Sequence, residues 1–173
     1  MSNNKTTSMI KIERANIADR EQIKHICRKG YLYTTKYFQN QQLVRQKIAE
    51  YYSAARITRE IENVNTQWQG WVVARQNGKV IGAAGGGLIT ANTGGIFVLY
   101  LDLAERRKGI GTMLVNYITE QQRDAGAKLQ FVRVLQSNQT AIHFYQSIGF
   151  QLKANTIDQE NPEFSTYTLQ RKI

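Results

Sequence analysis

The sequence predicts an α+β protein, about seven strands and four helices built around one core. Three observations lead there. Hydrophobic periodicity switches repeatedly between strand and helix patterns along the 173 residues. Turn residues, above all Asn77-Gly78 and the Gly109 and Gly126 positions, fall where the period changes. Hydrophobic residues at 42% and charged residues at 21% match a globular domain, at a length that suits one core and is too short for two ordinary ones.

The elements follow in order. Residues 1–8 read as a frayed tail and residues 9–173 as a single domain. Residues 9–13 alternate apolar and polar, as a first strand does. Asn16 caps a helix with Asp19 at its third position; Ile17, Ile23, Ile26 and Cys27 share its inner face and Gly30 ends it. An aromatic cluster, Tyr31, Tyr33, Tyr37 and Phe38, precedes helical spacing over 41–62. Residues 71–75 and 80–89 read as strands joined through Asn77-Gly78. A turn over 90–95 leads into the apolar run 96–101. Ile110, Met113, Leu114, Tyr117, Ile118 and Gln121 then recur at helical spacing until Gly126. Residues 129–135 form a short buried strand. Residues 138–147 form a helix with Ile142, Tyr145 and Ile148 on one side. Gly149-Phe150 opens another strand, and 167–169 lie in the last.

Composition excludes several classes. No apolar stretch is long enough to span a bilayer, and the polar start of the chain lacks the apolar centre of an export signal. One cysteine, Cys27, rules out an internal disulfide and a multi-cysteine metal site; His25 and His143 lie far apart, so no metal site is expected. The expectation is a cytoplasmic protein without a membrane segment. The net charge of +10 favours an anionic partner. The basic residues are dispersed, with no run or motif that reads as a nucleic-acid arm.

The informative stretch is L-Y-L-D-L-A-E-R-R-K-G-I-G-T, from Leu99 to Thr112. A strand enters a basic, glycine-containing turn that opens an amphipathic helix. The first turn of a helix carries unpaired N–H groups and the positive end of its dipole. Gly109 and Gly111 let an anion approach the backbone, and Arg106, Arg107 and Lys108 add charge. The turn is a candidate phosphate cradle; its bland alternative is a structural turn. Leu114 stands where a dinucleotide fingerprint needs its third glycine, and the lysine precedes the glycine, against the Walker order.

Arg106-x-x-Gly109-x-Gly111 resembles the acyl-CoA signature of the GNAT superfamily of N-acyltransferases. Further along, Asn138-x-x-Ala141-x-x-x-Tyr145-x-x-x-Gly149-Phe150 resembles that superfamily's second signature. The resemblance covers roughly residues 9–171. It implies a layered α/β/α fold: a mixed, mostly antiparallel central sheet of about seven strands, helices on both faces, and a splay between the fourth and fifth strands. It also implies an N-acetyltransferase that passes the acetyl group of acetyl-CoA directly to a primary amine, on a small molecule or a peptide, in a ternary complex. Two other readings stay open: a CoA-binding sensor or scaffold, and a basic nucleic-acid-binding domain. A homodimer is compatible with any of them.

Carried onto this sequence, the resemblance gives the pantetheine arm to the backbone of Leu99, Tyr100 and Leu101. Arg106, Arg107, Lys108, Gly109, Ile110, Gly111 and Thr112 take the pyrophosphate. The N–H of Leu99 faces the thioester oxygen, where negative charge develops. Asn138 contacts the CoA arm and also suits an N-cap. Tyr145, two turns on, protonates the departing thiolate; alternatively it is a core tyrosine. Where relatives place a glutamate base, this chain has Gly95 and Arg133, so proton loss through water is expected. Asp102 follows the expected bulge and suits solvent. Arg133 either meets an anionic group on the acceptor or is a solvated strand charge. Asp158, Glu160 and Glu163 either edge the acceptor site or form a solvated turn. The Tyr31–Phe38 cluster is acceptor wall or core. His143 reads as an exposed helix residue and Cys27 as a small core residue. The Gly85-Gly86-Gly87 run inside a strand marks either a bulge or a close backbone approach.

Overall fold

The computed structural model describes residues 8–173. The tail expected over 1–8 lies outside them except for Ser8, whose carbonyl accepts a hydrogen bond from Gln76 Nε2 at 2.9 Å. Seven strands form one sheet: β1 (Lys11–Arg14), β2 (Trp71–Gln76), β3 (Lys79–Thr90), β4 (Thr93–Leu101), β5 (Leu129–Leu135), β6 (Gln151–Thr156) and β7 (Thr166–Lys172). Their spatial order is β1-β2-β3-β4-β5-β7-β6, antiparallel throughout except for the parallel β4–β5 pair.

The helices are α1 (Arg20–Thr34), α2 (Gln41–Tyr51), α3 (Ala54–Glu62), α4 (Ile110–Asp124) and α5 (Gln139–Ser147). Strand alternation sorts the core into two layers. Val72 and Ala74 of β2 pack against Ile110, Leu114 and Ile118 of α4. Trp71 and Val73 pack on the other face against Ile23, Cys27 and Ile57 of α1 and α3. A smaller cluster joins Val44 and Ile48 of α2 to Phe38 and Phe164.

Local chemistry explains most boundaries. Asn77 and Gly78 both adopt positive φ, 51° and 75°, the geometry that a two-residue hairpin between twisted strands requires. Asn16 forms the expected capping box with Asp19, but it caps a single 3-10 turn before α1 starts at Arg20. Three expectations are corrected. Ile17 is 48% exposed rather than on the inner face. The helical run over 41–62 is two helices, because the Ser53 hydroxyl caps a new one by accepting from Arg56 N–H at 3.2 Å. Gly30 does not end α1, which runs four residues further. It is buried in mid-helix, where a Cβ would sit 2.9 Å from Tyr100 Cγ.

Close approach also accounts for the glycine run. A Cβ at Gly85 would meet the Trp68 ring, one at Gly86 the Gly95 carbonyl oxygen, and one at Gly87 the backbone of Gln67. The segment before β2 therefore lies directly on β3, tied by Gln69 N–H to Gly86 O at 2.8 Å and Leu88 N–H to Thr66 O at 2.7 Å.

Beneath the sheet a buried polar network links α4 to β4, β5 and β7. Gln122 Nε2 donates to Gly95 O at 2.9 Å and Gln130 Nε2 to Gln122 Oε1 at 2.9 Å. Arg171 donates to Gln130 Oε1, Thr119 Oγ1 and Ile148 O. Each polar side chain of this network thus finds a partner, which makes the network stabilising rather than costly.

Glycine to alanine inside a helix ordinarily stabilises by about 1 kcal/mol. At Gly30 the sign reverses, because the new methyl overlaps the Tyr100 ring. Gly30→Ala is expected to lower Tm by roughly 3–10 °C in a thermal melt.

Candidate active site

The site begins where two neighbouring strands stop pairing. β4 and β5 are in register only from Thr93↔Leu129 to Ile96↔Val132. Beyond that point β4 continues to Leu101 and β5 to Leu135 without pairing to each other. The β3–β4 register shifts between Gly85↔Val98 and Gly86↔Ile96, so Phe97 is an extra, unpaired residue. Such a bulge bends its strand, and here it sits where β4 leaves β5.

The backbone facing the wedge follows from ladder alternation. Asp102 N–H donates to Ile81 O of β3 at 2.8 Å, so Tyr100 and Val98 also turn their backbone groups to β3. Leu99 and Leu101 turn theirs to the open side. On the opposite wall, Gln136 N–H donates to Ser165 O at 3.0 Å, so Val134 and Val132 bond β7. Arg133 and Leu135 face the wedge, and the Leu135 carbonyl accepts Asn138 N–H at 2.9 Å.

At one end of the wedge lies the N-terminus of α4. Its N-cap is Gly109, at φ 79°, with no side-chain cap. The first helical bond runs from Met113 N–H to Gly109 O. Among the described residues, the N–H groups of Gly109, Ile110, Gly111 and Thr112 have no partner, and they present the positive dipole end. A Cβ at Gly109 would find nothing within 4 Å, whereas one at Gly111 would meet the Phe144 ring of α5 at 3.2 Å. Only Gly109 keeps the approach to the cradle open; Gly111 serves helix packing.

The three cations of the turn also differ. The Arg106 guanidinium lies over the Tyr33 ring at 4.5 Å, and Lys108 Nζ pairs with Glu105 at 2.8 Å. Arg107 is exposed and makes no ion pair among the described residues. Ile110 is fully buried and contributes only its backbone to the cradle.

α5 supplies the next wall. Asn138 Oδ1 accepts from Ala141 N–H at 3.1 Å as the N-cap, leaving its amide NH2 to donate. Tyr145, 4% exposed, packs edge-on against Phe144 and Phe150, yet its side chain borders the wedge cavity. Burial pushes its phenol well above the ordinary tyrosine value, so it stays protonated.

From Tyr145 and Leu99 a cavity of about 460 Å³ continues between the parted strands to the α1–α3 side of the sheet. Its far walls are Tyr31, Tyr51, Tyr52, Trp68, Trp71 and Phe97, with Arg56, Glu60 and Arg133. Of the aromatic cluster read from sequence, only Tyr31 belongs there. Phe38 lies in the α2 core, and Tyr33 and Tyr37 are exposed.

Glu60 escaped the sequence reading. Its i,i+4 spacing from Arg56 looks like a surface pair, and only the fold turns it inward. Glu60 Oε1 accepts from Arg56 Nε at 2.7 Å and Oε2 from Trp71 Nε1 at 2.9 Å. Asp102 caps the turn after β4 and pairs with Lys79 at 3.6 Å. Asp158 accepts from Glu160 and Asn161 N–H, and Glu163 from Gln39 and Asn40 N–H. Cys27 is fully buried, where loss of solvent raises its thiol pKa, and His143 is exposed on α5.

Residues 35–150 match the family described as the acetyltransferase (GNAT) family. Among curated proteins nothing matches the sequence. Similar solved structures include PaiA N-acetyltransferase from Thermoplasma acidophilum in complex with coenzyme A. It has a TM-score of 0.83 and 22% identity over 95% of this chain and 99% of that one. Ard1 from Thermoplasma volcanium has a TM-score of 0.71 and 21% identity over 95% and 97%. YncA, a putative acetyltransferase from Salmonella typhimurium with acetyl-CoA, has a TM-score of 0.68 and 21% identity over 95% and 94%. At these identities the likeness is one of fold.

A valine at Gly109 has room for its side chain but fills the approach to the helix N-terminus, in a backbone conformation that disfavours it. The folded state should lose only about 1–2 kcal/mol, while any thermal stabilisation by saturating CoA should be lost. Paired melts of Gly109→Val with and without CoA check both halves.

Proposed function

The chain belongs to the acetyltransferase (GNAT) family, and from that premise we propose that it transfers the acetyl group of acetyl-CoA directly to a primary amine within a ternary complex. The observation that carries this reading is the β4–β5 wedge. It opens an unpaired strand edge onto an aromatic cavity, on the strand that runs into the turn before the amide-rich N-terminus of α4. The pantetheine arm, itself a chain of amides, would take the place of the missing strand pairing at Leu99 and Leu101, while the N–H groups of Gly109 to Thr112, with Arg107 beside them, would hold the pyrophosphate. The fit is supported by the empty space over Gly109.

In this proposal each catalytic contribution comes from a group that borders the wedge. Leu99 N–H donates to the thioester oxygen as negative charge builds on it. The Tyr145 hydroxyl gives its proton to the departing sulfur; burial keeps that proton in place at physiological pH. The free amide hydrogens of Asn138 hold the arm. Neither Gly95 nor Arg133 can accept a proton, and Glu60, which lines the cavity, is held by Arg56 and Trp71. In this proposal the amine's proton leaves through water. Direct transfer is supported by the position of Cys27, buried in the α1 core away from the cavity lining.

An assay of thiol release with acetyl-CoA and an amine panel tests the reading; binding of acetyl-CoA without release under any amine would mark a sensor. Tyr145→Phe should lower kcat about 100-fold or more while keeping the thermal stabilisation by acetyl-CoA. Because its phenol is raised above the ordinary value of about 10, the acid form persists throughout the assay range. The wild-type pH profile should show no Tyr145-dependent alkaline fall below about pH 10. A fall there that vanishes in Tyr145→Phe would show that burial does not hold the phenol proton, whereas an unchanged kcat in Tyr145→Phe overturns the acid assignment.

A further inference from the structure

On the α1–α3 side the cavity carries an unbalanced charge. Three ionised side chains interrupt its aromatic wall: Arg56, Glu60 and Arg133. Arg56 and Glu60 neutralise each other at 2.7 Å, and Arg56 also lies over the Tyr51 ring at 5.1 Å. Arg133 makes no hydrogen bond and no ion pair among the described residues. The acids that the sequence placed near this end do not border the cavity. Asp158 Oδ1 accepts from two backbone N–H groups of its own loop, and the two Glu163 oxygens accept from those of Gln39 and Asn40 at the α2 entrance.

The direction of Arg133 follows from β5 alternation. Val132 and Val134 pack into the core with α4 and α5, whereas Leu135 packs with Phe38 and Phe164 on the α2 side. Arg133 therefore stands on the same face as the aromatic wall, across the wedge from Phe97. A guanidinium presents a planar fork of donors that matches a carboxylate with two parallel hydrogen bonds. Arg133 is exposed at the cavity wall and has no counter-ion among the described residues, so a carboxylate on the ligand can pair with it.

We infer that the acceptor is a primary amine carrying its own carboxylate, a small zwitterion with an apolar body, and that Arg133 binds that carboxylate. The inference rests on the acetyl transfer proposed above and names its acceptor class. The aromatic faces receive the apolar body, and Arg133 fixes its orientation so that the amine points back toward Leu99.

Two matched pairs of acceptors test this by thiol release: phenylalanine against phenethylamine, and 4-(aminomethyl)benzoate against benzylamine. Each pair shares its amine and ring and differs in the carboxylate; the two pairs differ in the separation between the charges. In at least one pair the carboxylate-bearing member should lead in kcat/KM by roughly ten- to hundredfold, the worth of a charge-assisted hydrogen bond. Arg133→Gln should erase that lead and Arg133→Lys restore part of it, while both variants keep their thermal stabilisation by acetyl-CoA. Parity or an advantage of the uncharged amine in both pairs overturns the inference, as does a lead that survives in Arg133→Gln. Turnover confined to amines outside these pairs overturns it too and leaves acetyl transfer standing. Failure of every amine to release thiol overturns the acetyl-transfer reading itself.

Discussion

The central constraint is an interior pair of strands that lets go of itself. Seven strands share one sheet, yet between β4 and β5 only the first stretch is paired. Past Ile96 and Val132 the backbone groups of Leu99, Leu101 and Arg133 face a gap rather than a neighbour. Leaving such groups without partners costs about 1–3 kcal/mol each if water is excluded. The cavity that runs through the gap is lined by Leu99 and Arg133, and a ligand with its own amide groups can replace the missing ladder. Every functional feature is arranged around that opening.

The closed end has to be strong for the open end to hold its shape. Gln122 reaches up to the Gly95 carbonyl, Gln130 joins it from β5, and Arg171 anchors the pair from β7. The network braces the strands just before they separate. The Phe97 bulge then turns β4 aside. Rigid pairing, a bulge and an unpaired edge follow one another within a few residues, so the wedge is set by backbone geometry and not by a movable loop.

The two ends of the wedge obey different physics. At α4 the features are generic: orphan amides, a dipole and a left-handed glycine, none of which depends on distant contacts beyond the packing of Gly111 on Phe144. On the α1–α3 side the features are particular to this chain. Trp68 lies against Gly85, Trp71 holds Glu60, Glu60 holds Arg56, and Arg56 lies over Tyr51. Such a chain of contacts rigidifies one wall of the cavity, whose residues come from α2, α3, β2 and the loop before it.

Local signals were sufficient for much of this protein. Asn77-Gly78, the Asn16–Asp19 box, the apolar spacing of α4 and the glycine-containing turn act within a few residues, and each leaves its mark on consecutive positions. The strand run 129–135 and the α5 cap at Asn138 were legible for the same reason. Gly30 misled because a helix-ending glycine and a glycine cleared for the Tyr100 ring look alike until the ring is in place. Glu60, Trp68 and Trp71 gave no sign of lining a cavity, since what makes them neighbours of Phe97 and Arg133 is sheet order. By itself, then, the sequence determined the elements, their turns and the glycine-containing turn that opens α4, all governed by short-range sterics and hydrogen bonding. Only the tertiary structure decided which side chains line the cavity and which acids are already engaged, because that depends on packing between segments the chain keeps apart.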